Sequence, residues 1–342
     1  MSRALEEAAA RVLMPGFLGT APPPWLLEAC RRGLGSVLYF AQNLGGAPAA
    51  LSRELHGARP ALLIACDEEG GAVSRFHPGG ASPHPSHGEL GAAGDTAATR
   101  ATGRAVGDLL RAAGVDAALA PVVDVACDPD NPVIGPRAFS DRPEEAAAHG
   151  AAFTAGLHDA GRAAAAKHFP GHGDTRTDSH VGLPVITAGQ ELLRTRELVP
   201  FTAAVRAGVD MVMSGHIVVP AVDSAPASVS RRWYRLLRGE LGFDGVAVTD
   251  ALDMKGLAVH TGEPDTVRAV ARGAVGALAA GADLLCLGNP ATAGGTGEEA
   301  YRAAHAAVLE AVESGAVPRA RLDEAAGRVE ALAAVVHRSP PP

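Results

Sequence analysis

Eight short runs of nearly unbroken apolar residues recur along the chain. They lie at Val12–Phe17, Ser36–Phe40, Ala61–Asp67, Asp116–Val125, Ala163–Phe169, Val209–Ser214, Gly245–Asp250 and Ala282–Leu287. Runs that do not alternate apolar with polar residues read as strands covered on both faces. Helical patterns separate most of them. Pro24–Arg32 and Pro48–His56 follow the first two runs. Thr96–Ala113 ends at Gly114, and Arg142–Ala160 ends at Gly161. Pro200 is read as breaking the next region into two helices. Arg231–Glu240 and Asp265–Ala280 come next, and two more stretches, Glu298–Glu313 and Arg319–Val336, close the chain.

Eight strands alternating with helices predict an α/β fold, a single (β/α)8 TIM-type barrel. The rival, a doubly wound open sheet, normally carries a glycine-rich phosphate loop after an early strand, and none is found here. No linker divides the 342 residues, so residues 1–338 are expected to form one domain and 339–342 a frayed tail. Aromatic residues make up only 4%, which predicts a core of Ala, Val and Leu. A net charge of -8 without a basic run makes nucleic acid an unlikely partner. The first residues carry Glu6 and Glu7 and lack a signal peptide's apolar core, and no apolar run could span a bilayer. A cytoplasmic protein without a membrane partner is expected. The scattered cysteines, Cys30, Cys66, Cys127 and Cys286, form no metal spacing and suit a reducing compartment. Nothing in the sequence speaks to the oligomeric state.

In a barrel, chemistry sits on the loops that follow the strands. The residues gathered there are Asp67 after the third run, Asp124 and Arg137 after the fourth, Lys167 and His168 after the fifth, His216 after the sixth and Asp250 after the seventh. The densest loop, residues 167–184, reads KHFPGHGDTRTDSHVGLP. A carboxylate at a strand end, such as Asp250, suits a nucleophile or general base, or caps the next helix. Asp178 two residues before His180 can fix the imidazole tautomer and keep it protonated, or is an incidental surface pair. His168, His172, Asp174, Asp178 and His180 are also conceivable metal ligands, although their spacing matches neither a strand nor a helix ligand pattern.

KHFPGHGDTRTDSHVGLP resembles the signature of bacterial β-N-acetylglucosaminidases of glycoside hydrolase family 3. DEEGGAVSRF, VIGPRAFS, AGVDMVMSGHI and LGFDGVAVTDALDM agree in order, and the resemblance covers roughly residues 12 to 335. It implies a retaining glycosidase on small carbohydrates, without cofactor or metal. It assigns the nucleophile to Asp250, with Thr249 where the family has serine. The acid/base role falls on His180, supported by Asp178, and sugar binding on Asp67, Arg75, Arg137, Lys167 and His168. The middle of the loop, Gly171 to Thr177, is then a hinge-like span, with Gly171, Gly173 and Gly182 supplying the freedom that lets His180 reach the sugar. The length leaves no room for the sandwich domain of larger relatives. Compact relatives trim N-acetylglucosamine from cell-wall fragments, which suggests peptidoglycan recycling. A histidine acid/base does not repel an incoming anion, so phosphorolysis is the alternative on the same site. A metal-dependent barrel hydrolase is the other. Two departures, Ala72 in DEEGGAVSRF and the Ala251-Leu252-Asp253-Met254 segment, are expected to alter what lies beyond the sugar.

Overall fold

The computed structural model describes residues 2–79, 82–178 and 182–338. His180 and the tail 339–342 lie outside the described residues. Ten strands are seen among these: β1 (Leu13–Met14), β2 (Ser36–Tyr39), β3 (Leu63–Cys66), β4 (Glu68–Gly70), β5 (Val73–Ser74), β6 (Ala117–Ala118), β7 (Ala163–Phe169), β8 (Met211–Ser214), β9 (Val246–Thr249) and β10 (Leu285–Cys286). All eight expected runs contain a strand. Six form a curled parallel sheet in the order β2-β3-β6-β7-β8-β9, and β1 pairs with β10, also in parallel. A bridge between Val248 and Leu284 joins β9 to β10, and the Leu38 amide donates to the Pro15 carbonyl between β2 and the end of β1.

Each strand sorts its side chains to two faces, as the two-residue repeat requires. Leu38, Leu63, Ala65, Leu119, Ala163, Ala165, Met211, Met213, Val246 and Val248 fill the concave side of the curl. Val37, Tyr39, Ile64, Cys66, Ala164, Ala166, Val212 and Ala247 face the helices. Ala, Val and Leu recur through the interior as expected, but Met211 and Met213 join the concave side, and Phe17, Tyr39, Phe153, Phe169, Phe201 and Trp233 are buried as well. Val329, Leu332, Ala333 and Val336 of the last helix, Arg319–Arg338, join the concave cluster. That helix lies across the amino end of the sheet. Asp283, just before β10 and fully buried, accepts from Arg238, Arg321 and Arg328 and from the Ala247 amide. The amino end is thereby sealed, and the carboxyl end remains available for chemistry.

The hairpin β4–β5 lies outside the eight apolar runs. Glu68 organises it by accepting the Arg75 amide at 2.9 Å, and Gly70 and Gly71 turn it with φ of +84° and +54°. Its consequence is to fold Glu69 and Arg75 back over the end of β3. Among the described residues, three peptide bonds are cis: Ala120–Pro121, Lys167–His168 and Phe169–Pro170.

Pro200 does not split its region. Helix continues from Gln190 to Arg206, because a wide π-type turn at Leu193–Glu197 immediately precedes the proline's turn. Proline clashes with the carbonyl four residues back in a regular helix, and an extra residue in the preceding turn relieves that contact. Glu197 sits in the widened turn, fully buried, with Oε1 accepting from Arg196 at 2.6 Å. Burial pushes its carboxyl up to about 7, against the pull of Arg196. An acid whose folded pKa lies above its ordinary 4.5 costs nothing below that value and costs most above pH 7. Wild-type stability relative to Glu197→Gln should therefore fall by on the order of 3 kcal/mol between pH 4.5 and 8. Parallel thermal melts of the two proteins test this; a constant difference in Tm across that range would contradict it.

Candidate active site

A cavity of about 640 Å³ opens at the carboxyl end of the sheet. Asp67, Arg137, Lys167, His168 and Asp250, which the strand-end reading places on one rim, all border it, and so does Arg75, which only the resemblance singles out. Glu69 and His172 border it too.

Its floor is an ion network. Lys167 lies in β7 and is 2 % exposed; it bridges Asp67 Oδ1 at 2.8 Å and Glu69 Oε1 at 2.7 Å. Arg137 grips Glu69 through two bonds, Nε to Oε2 at 2.9 Å and Nη2 to Oε1 at 2.8 Å. Arg75 reaches Asp67 Oδ2 at 2.9 Å. Three cations thus meet two carboxylates, with each carboxylate held on both oxygens. Burial would raise both acids. Lys167 and Arg75 instead hold Asp67, and Arg137 and Lys167 hold Glu69, well below the usual carboxylate range. Burial would lower Lys167, but Asp67 and Glu69 keep its ammonium above its ordinary value.

A second network fixes the imidazoles. Asp124, fully buried, accepts His168 Nδ1 at 2.8 Å on one oxygen. Its other oxygen accepts the amides of His168 and His172 at 3.1 and 2.8 Å. With Nδ1–H donated to the carboxylate, His168 turns its Nε2 lone pair to Arg137 Nη2, 3.5 Å away. Burial would raise Asp124, but the two histidines lower it. His172 contacts Thr175 Oγ1 through Nδ1 at 2.6 Å, and burial, then the neighbouring His168, pushes it down to about 4.

Asp250 ends β9 with its amide on the Ser214 carbonyl and its Oδ1 accepting the Ala251 amide at 2.8 Å. The Ala251 carbonyl accepts from His216 Nε2 at 2.9 Å, so His216 Nδ1 accepts from the Ser228 hydroxyl. His216 is fully buried and is not among the residues that line the cavity. It braces the peptide beside Asp250. Thr249 uses its hydroxyl to accept the Cys286 amide, which ties β9 to β10.

Asp178 is half-buried on the 167–184 loop and is not among the cavity-lining residues; His180 is outside the described residues. The first part of the loop's middle is closely packed. A Cβ on Gly173 would lie 1.6 Å from the Val125 carbonyl oxygen, and one on Gly171 2.6 Å from Glu197 Oε2. These glycines permit close approach, and the span is clamped against the strand-end segments. The conceivable metal ligands His168, His172 and Asp174 take three separate partners, Asp124, Thr175 and Arg196. Of the departures, Ala72 is exposed at the hairpin tip, whereas Ala251 and Asp253 line the cavity. Asp253 accepts the Asn289 amide at 2.8 Å and packs so tightly that a Cβ on Gly288 would fall 1.9 Å from its carboxyl carbon.

Glu69 was the main residue missed. A charge balance would have found it: Lys167, Arg137 and Arg75 against Asp67 alone leave buried cations short of a partner. Strand-end position puts Asp124 near the rim but gives it no role; the structure makes it the acceptor that fixes His168 and His172.

The model of the glycosyl hydrolase family 3 N-terminal domain matches residues 33–332. The beta-hexosaminidase of Methylococcus capsulatus is 37% identical over 290 residues, 83% of this chain and 81% of that one. A glycoside hydrolase family 3 beta-N-acetylglucosaminidase from Paenibacillus sp. str. FPU-7 superposes with a TM-score of 0.89 at 38% identity; the match covers 97% of this chain and 62% of that chain. The beta-N-acetylhexosaminidase of Beutenbergia cavernae superposes with a TM-score of 0.84 at 30% identity, covering 98% and 99%.

Removing one partner of a buried ion pair leaves an uncompensated charge and costs about 3–5 kcal/mol. Glu69→Gln is expected to lose about that much in urea unfolding. Arg302→Gln, which breaks an exposed pair with Glu298, should change stability by less than about 1 kcal/mol. Equal effects of the two would refute the assignment of Glu69 as the hub.

Proposed function

Because the chain belongs to glycosyl hydrolase family 3, we propose that it is a retaining exo-β-N-acetylglucosaminidase acting through a covalent glycosyl-enzyme on Asp250. The observation that carries this reading is the shared cavity, where a strand-end carboxylate faces the network of Asp67, Glu69, Arg75, Arg137, Lys167 and His168. The relatives named beta-hexosaminidase support the sugar class.

The network's buried, paired groups are preorganised to receive hydroxyls of a terminal sugar: carboxylate oxygens accept and ammonium and guanidinium groups donate. A cavity of about 640 Å³ suits a small carbohydrate. In the first step Asp250 attacks the anomeric carbon while the glycosidic C–O bond breaks, and His180 gives its proton to the leaving oxygen. In the second, His180 takes a proton from water as the water attacks that carbon, and the ester to Asp250 breaks. Two inversions retain the β configuration. Asp178 would orient the His180 ring. We propose further that the eight parallel strands act as one closed (β/α)8 barrel, with residues 1–338 as its domain, and that the natural substrates are peptidoglycan fragments in the cytoplasm, as the family resemblance suggests.

Asp250→Ala and His180→Ala should each lower kcat on an aryl N-acetyl-β-glucosaminide by about 10³-fold or more. Near-wild-type turnover in either would defeat the mechanism. Faster release of N-acetylglucosamine from a muropeptide disaccharide than from chitobiose would support the cell-wall substrate, and the reverse would remove it.

A further inference from the structure

At the amino end of the sheet, opposite the cavity, three residues far apart in sequence converge on one carboxylate. His56 lies in the last turn of the helix Pro48–Ala58, Asp116 precedes β6, and His337 lies in the last turn of Arg319–Arg338. Their ligand atoms all fall within 4.8 Å of one another. His56 Nε2 is 2.9 Å from Asp116 Oδ2, and His337 Nδ1 is 3.9 Å from Asp116 Oδ1.

The hydrogen bonds define what faces what. His337 Nε2 contacts the Leu62 carbonyl at 3.1 Å. A carbonyl only accepts, so Nε2 carries the proton and a neutral ring turns its Nδ1 lone pair to the carboxylate. In that tautomer Nδ1 and the carboxylate oxygen are both acceptors, so a cation in the gap has a ligand on either side. A backbone carbonyl behind the distal ring nitrogen is also the usual support of a metal-bound histidine. Asp116 is anchored by the Ile64 amide on Oδ2 at 2.9 Å, and its side chain is almost wholly buried. The two imidazoles remain a quarter or more exposed, which leaves an entry path. Among the described residues, Arg162, 3.5 Å from Oδ1, is the cation besides the imidazoles that pairs with Asp116.

We propose that His56, Asp116 and His337 form a binding site for a divalent transition ion of the zinc class. Two imidazole nitrogens and a carboxylate, with water in the fourth position, make a tetrahedral set that zinc favours. Bonds of about 2.0–2.1 Å hold tetrahedral ligand atoms roughly 3.3 Å apart, and here one ligand atom from each of the three residues lies within 4.8 Å of the others. The ion would clamp the last helix onto the sheet at a distance from the catalytic groups. Its role is structural, and the proposal is independent of the glycosidase mechanism.

The test uses the full chain freed of metal by chelation and dialysis. Zinc chloride is titrated calorimetrically, and thermal melts are recorded with and without ~100 µM zinc. The expected result is one equivalent bound and a rise in Tm. H56Q and H337Q should each weaken binding at least about tenfold and abolish the rise, with metal-free Tm and glycosidase activity unchanged. Absence of binding at ~100 µM zinc would overturn the proposal, as would variants that bind like wild type, which would locate the ion at other histidines. If H56Q proves unstable without metal, H337Q, at the exposed end of the chain, decides alone.

Discussion

The active end of this molecule depends on Glu69 being ionised, buried and shared. Its two oxygens hold Arg137 in a fork and Lys167 at 2.7 Å, and through Lys167 they fix Asp67. An ammonium with 2 % exposure is tolerable only when its charge is met by carboxylates at hydrogen-bonding distance. The two acids cannot repel each other apart, because each is held on both oxygens by cations. Such a lattice is costly to assemble and rigid once formed. That rigidity lets it present fixed donors and acceptors to a polar ligand without reorganising.

The surrounding elements can be understood as supports for that lattice. The β4–β5 hairpin exists to bring Glu69 and Arg75 over β3, and Glu68 closes it from within. Asp124 joins the strand-end segment after β6 to the one after β7 through His168 and His172. His216 holds the peptide beside Asp250 through the Ala251 carbonyl. At the other end, Asp283 gathers three arginines and seals the sheet with the last helix. One end of the fold is locked by ions for stability. The other is lined by ions whose outer atoms reach a cavity.

The clamped glycines alter the picture of the loop that carries Asp178. Gly171 and Gly173 are required because backbone and carboxylate atoms approach where a Cβ would stand. Glycine in a polar loop reads equally as freedom or as close packing, and the sequence offers no way to separate the two. The same ambiguity attended Pro200. A proline within helical periodicity signals a break, yet a widened turn can absorb it, and that turn becomes the place where a buried glutamate is held.

All eight parallel strands were legible in the sequence, because burial on both faces imposes continuous apolar runs that no neighbour can disguise. The strand-end positions of Asp67, Lys167, His168 and Asp250 followed from those runs, since the carboxyl ends of parallel strands share one rim. What the tertiary structure decided was partnership. Glu69 pairs with Arg137 and Lys167 across separations of 68 and 98 positions, and His56, Asp116 and His337 meet from three elements. Periodicity records which face a residue turns to. Which charges then lie within 3 Å of one another depends on strand order and helix docking, and no local pattern of residues encodes that.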